Sequence, residues 1–130
     1  VIVGIHSMSR RASKRYGVPH ATTELLKALE KESQLIVLIH GSPYSLKLFN
    51  ENQTLLVGYE DNAKVQTGMA EVLVGARKAS GHLPVGSGRF KAGMGVETQD
   101  LGILVNDFPD HVFKWLESAI YLEDVDVGSF

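Results

Sequence analysis

Glu60 and Asp61 follow the apolar run Thr54-Leu55-Leu56-Val57 and form the clearest acidic pair in the chain. Glycoside hydrolysis needs two carboxyl groups facing each other across the scissile bond, roughly 5 to 9.5 Å apart. Neighbouring residues at a strand end send their side chains in diverging directions, so this pair cannot flank a sugar without a third group. The ordinary role for Asp61 or Asn62 is to cap the helix that follows. Glu60 is left as a candidate substrate-binding group, and no residue is assigned a catalytic role.

A second candidate is the basic stretch containing Arg10, Arg11, Lys14, Arg15 and Tyr16. Guanidinium forks hold carboxylates or phosphates, and Tyr16 offers an aromatic face to a sugar. Arg10, Arg11 and Arg15 therefore join Glu60 as substrate-binding candidates. The competing role is a solvated surface or an inter-domain contact. The histidines His6, His20, His40, His82 and His111 show no i, i+4 pair and no carboxylate at metalloprotease spacing, so no metal site is expected from the sequence. His40 ends an apolar run, where a hydrogen-bonded structural imidazole is expected. Gly86, Gly88, Gly93 and Gly95 lack the strand and helix that a phosphate cradle needs, and no cofactor is expected. They suit an extended segment wrapped closely over the domain.

These residues are positioned by alternating apolar runs. Val1-Ile2-Val3-Gly4-Ile5 reads as a buried strand, residues 6–19 as a polar loop with a short helical turn, and residues 22–32 as a helix with Thr22 or Thr23 as cap. Leu35-Ile36-Val37-Leu38-Ile39 reads as a central parallel strand that stops at Gly41-Ser42-Pro43. Residues 44–52 have room for a short helix, 54–59 for the next strand, and 62–76 for a second helix with Val65, Met69, Val72, Leu73 and Ala76 on one face. Residues 101–105 and 109–122 read as a further strand and helix. The order predicts an α/β fold: a flavodoxin-like sandwich with a mostly parallel sheet and right-handed crossovers, reading as an incomplete domain. Ligands of such sheets meet the strand C-terminal ends, here His6-Ser7, His40-Gly41-Ser42 and Tyr59-Glu60-Asp61.

With 130 residues, 44% of them hydrophobic, one packed domain is expected. A formal charge of -2 supplies no basic field for nucleic acid, and no apolar run reaches the ~20 residues of a membrane span. The absence of cysteine fits cytosol and periplasm equally.

The segments Val57-Gly58-Tyr59-Glu60-Asp61 and Ser80-Gly81-His82-Leu83-Pro84-Val85, with a helix between them, resemble the C-terminal sandwich domain of glycoside hydrolase family 3. Of its branches, the chain looks more like the β-N-acetylglucosaminidases than the β-glucosidases, which carry a Trp-x-Pro-Gly-like turn and a double glycine. The resemblance spans residues 1–97, with 98–130 as an extension or linker. It implies a non-catalytic domain of a bacterial, retaining exo-β-glycosidase. The hydrolysing residues would sit on an N-terminal barrel that packs against it, and the substrate at the interface would be a terminal β-linked sugar. The parent is expected in the periplasm or outside the cell. His82 stands where the family usually carries Lys or Arg, Arg77-Lys78-Ala79 replaces its usual acidic or Pro-containing link, and residues 100–130 match nothing in it. Two other readings compete: a stand-alone carbohydrate- or partner-binding module, and an α/β-hydrolase-like esterase fragment suggested by Leu38-Ile39-His40-Gly41-Ser42-Pro43. The esterase reading lacks the required Gly-x-Ser-x-Gly elbow.

Overall fold

The structure, a computed structural model, describes residues 1–50 and 52–103. Three strands, β1 (Ile2–Ile5), β2 (Ile36–Ile39) and β3 (Thr54–Val57), form a parallel sheet in the order β1-β2-β3. The expected α/β class holds, with β2 at the centre. Ile5 pairs with Ile39, and Ile39 with Val57, so the three strands end level.

Side chains alternate across the sheet, as the period of two in a strand requires. Val3, Ile5, Val37 and Ile39 join Val18, Leu26, Leu35, Leu46 and Phe49 in the main core, with Leu55 and Val57 packed against it. Leu38 faces the other way, towards Met69, with Ile2, Ile36, Leu56 and Val65 around them. Helix α1 (His20–Glu32) therefore covers one face and α2 (Ala63–Val74) the other. Each fully buried aliphatic side chain contributes about 1.5 to 3 kcal/mol by leaving water.

Helix α1 begins two residues before the expected Thr22 and lacks the expected threonine cap. Its N-cap is Pro19, with no side-chain cap bond. Thr23 Oγ1 instead donates to the His20 carbonyl at 2.9 Å, a bond inside the first turn. Helix α2 has the expected Asn62 cap, whose side-chain oxygen accepts from the Val65 N–H at 3.0 Å. It ends at Gly75, whose φ of 81° is the left-handed cap conformation that glycine adopts without strain.

The loop after β1 contains the expected helical turn, a 3-10 segment over Ala12–Gly17, and Pro43–Leu48 forms another between β2 and β3. The glycine-rich segment is not the extended run expected but a series of turns: Ser87 and Phe90 bridge across a turn at Gly88-Arg89, and a second turn follows at Ala92-Gly93, with Gly88 and Gly93 both left-handed. Ser87 fastens it to the domain: its hydroxyl donates to the Tyr44 carbonyl at 2.6 Å and accepts from the Lys47 N–H at 3.2 Å. Residues 101–103 are not a strand. Residues 104 and 105, and the helix expected over 109–122, lie outside the described residues. Among the described residues no helix is long and apolar enough to cross a membrane.

Candidate site at the strand ends

The level strand ends bring His6, His40 and Asp61 together. His6 follows Ile5 and His40 follows Ile39, so register places both imidazoles side by side on the α2 face. Their rings stack with centroids 4.1 Å apart and planes 14° from parallel. The sheet ladder runs on into this row, because the His40 N–H donates to the Ile5 carbonyl and the Gly58 N–H to the Ile39 carbonyl. A Cβ on Gly58 would stand 2.6 Å from Val65 Cγ1 and collide with Met69 Sδ, so the close seat of α2 depends on this glycine.

Asp61 joins β1 to the start of α2. Its Oδ1 lies 3.1 Å from His6 Nδ1 and accepts from Gln66 Nε2 at 2.8 Å. Its Oδ2 accepts from the Ser7 N–H at 3.0 Å. That N–H is presented by a left-handed Ser7, φ 53°, and Tyr59 beside Glu60 is left-handed too, φ 64°. Non-glycine residues hold this conformation at a cost of about 1 to 2 kcal/mol. Partial burial pushes the Asp61 carboxyl up, but the bonds from Ser7, His6 and Gln66 outweigh it and hold the pKa near about 2.

His40 is 1% exposed, and neither of its ring nitrogens has a hydrogen-bond partner among the described residues. The expected hydrogen-bonded structural imidazole is therefore not what stands there. Burial, reinforced by the neighbouring His6 ring and opposed by the Asp61 carboxylate, depresses its pKa to about 4. The donor atoms of His6, His40 and Asp61 all lie within 4.8 Å of one another, a set able to ligate a metal ion. All three residues stand at the strand ends where ligands are expected, but spacing along the chain gave no sign that they form a metal set, because each comes from a different strand end. The recoverable signal is the matched Ile5-His6 and Ile39-His40 pairs closing two adjacent parallel strands.

Above the cluster opens a cleft of about 620 Å³, lined by Met8, Arg10, His40, Ser42, Tyr59 and Glu60 among others. Of the four residues expected to bind substrate, Arg10 and Glu60 meet here, while Arg11 and Arg15 are not among the lining residues. Arg15 turns inward, donating from Nε to the Val18 carbonyl and from Nη2 to Thr23 Oγ1. Glu60 accepts from Asn62 Nδ2 at 2.8 Å. Tyr16 is buried under Lys47, whose Nζ sits 5.5 Å from the ring centre, so its face is closed to a sugar. Tyr44 and Tyr59, 49% and 43% exposed, are the aromatic rings of the cleft instead. The Ser42 hydroxyl accepts from the Tyr44 N–H as a turn cap, an ordinary structural duty rather than that of an activated nucleophile.

Comparison with protein-family models, with curated proteins and with solved structures returned no match. The class that fold and site define is thus a small parallel α/β unit with a polar cleft across its strand ends.

Proposed function

We propose that the chain is a non-catalytic α/β domain of an exo-β-glycosidase similar to glycoside hydrolase family 3, most closely to its β-N-acetylhexosaminidases. In this reading a separate barrel domain hydrolyses the terminal sugar, and the strand-end loops form the outer wall of its substrate cleft. The observation that carries it is the state of the acidic pair. Asp61 is turned towards His6, Ser7 and Gln66, while Glu60 bonds Asn62. Facing carboxyl groups across a sugar are what hydrolysis requires, and this pair diverges. Arg10 and Glu60 on the cleft fit a supporting role, offering charged hydrogen-bond partners to sugar hydroxyls. Incubating the chain with a chromogenic β-N-acetylglucosaminide tests the reading, which predicts no turnover above buffer. Sustained turnover abolished by Glu60→Gln would overturn it.

The exposed Tyr44 and Tyr59 rings beside Arg10, Glu60 and Asn62 favour a second reading, a module that binds carbohydrate by itself. Saturable binding of chitooligosaccharides to the isolated chain, lost in Tyr59→Ala, would select it over the supporting role.

A further inference from the structure

We propose that His6, His40 and Asp61 bind one divalent transition-metal ion of the zinc class at the floor of the strand-end cleft. Two imidazoles and one carboxylate are the donor types that such ions select over the all-oxygen sets of calcium or magnesium. Their donor atoms already lie within 4.8 Å of one another, and ligand atoms around a tetrahedral zinc ion sit about 3.4 Å apart. Side-chain rotations would have to close the difference, with the 3.1 Å contact between His6 Nδ1 and Asp61 Oδ1 giving way to the ion. They must include a ring rotation, because imidazole lone pairs lie in the ring plane and two planes only 14° from parallel do not converge on one ion.

An independent observation is His40 itself. It is 1% exposed, lines the cleft, and both its ring nitrogens lack hydrogen-bond partners among the described residues. A buried polar atom left unpaired is costly, and a coordinated cation would satisfy one lone pair. Asp61 is oriented by the Ser7 N–H and Gln66 Nε2, the kind of outer support that metal-binding carboxylates have. With three protein ligands and a cleft above, the ion would keep a position open to solvent or a ligand.

The test is titration of the tag-free, chelator-stripped chain with zinc chloride alone, followed by calorimetry and by competition with a chromogenic chelator. Cobalt substitution supplies a visible absorption band as a second readout. The expected result is one equivalent per chain. Asp61→Asn and His40→Gln should each weaken binding at least about tenfold, since loss of even an outer-shell partner costs about 10- to 100-fold. His82→Gln, a change at an exposed histidine away from the cluster, should leave it unaltered. Circular dichroism reports whether each variant folds; should His40→Gln not fold, Asp61→Asn, at the partly exposed member, decides. Absence of saturable zinc binding to the folded wild type, or affinity unchanged in Asp61→Asn, would overturn the proposal.

Discussion

His6 lies flat against His40 because the residues before them, Ile5 and Ile39, are register partners in adjacent parallel strands. Asp61 then reaches back from the start of α2 to the edge of His6, so residues flanking β1, β2 and α2 meet in one polar row. The stability of this corner and the shape of the cleft are set by the same side chains.

Acid should loosen the fold in two steps. His40 titrates near 6.5 when unfolded and about 4 when folded, so the unfolded chain binds the extra proton first. Stability is full above about pH 6.5 and falls by about 3 kcal/mol as pH drops towards 4. Asp61 follows the same sign at lower pH, its share present above 3.8 and lost towards about 2. Urea midpoints measured between pH 7 and pH 4 should decline, and His40→Gln should flatten the upper part of that decline.

Asp61→Ala removes the acceptor for the Ser7 N–H and Gln66 and the partner of His6. A loss of about 1 to 3 kcal/mol is expected, read from urea denaturation followed by circular dichroism. Asp61→Asn should lose less, because an amide oxygen still accepts from the Ser7 N–H.

Gly58→Ala should destabilise by about 1 to 3 kcal/mol, since the added methyl would meet Val65 and Met69 under α2. Gly68→Ala, with open space at its Cβ and a place inside α2, should be neutral to stabilising by up to about 1 kcal/mol. Thermal melts of the two variants should move in opposite directions.

Ser87→Ala cuts the glycine-rich segment from Tyr44 and Lys47. The expected cost is about 1 to 2 kcal/mol, with faster amide exchange at the Lys47 N–H and the Phe90 N–H than elsewhere. Unchanged exchange at both would show that the packing of Leu83 and Phe90 alone holds the segment.

Arg10 and Arg15 should separate by readout. Arg15→Ala removes donors from the Val18 carbonyl and Thr23, so it lowers stability by about 1 kcal/mol. Arg10→Ala, at the cleft, should leave stability unchanged and, if the proposed glycosidase reading holds, raise that enzyme's KM about fivefold, the worth of one hydrogen bond of ~1 kcal/mol.

Much of the frame was legible in the sequence. Continuous β-branched runs marked β1 and β2 as buried parallel strands, and the period of Val65, Met69 and Val72 marked α2. The start of α1 was not, because Pro19 can begin a helix without a side-chain cap and leaves Thr23 to bond within the first turn. At the site, Glu60 and Arg10 could be expected at the cleft from their place after strands. The inward turn of Arg15 could not, since it depends on the left-handed backbone of Arg15 and Tyr16. The His6, His40 and Asp61 cluster arises from strand register, which spacing within one segment does not encode.

On the proposed reading these 130 residues belong to a longer glycosidase, so assaying β-N-acetylglucosaminide hydrolysis by that protein and by these residues alone, at equal concentration, tests the central proposal most directly. The account predicts turnover from the whole protein, none from the chain alone, and a marked loss in the whole protein when this domain is deleted. Turnover by the chain alone, or an inactive whole protein, would contradict it.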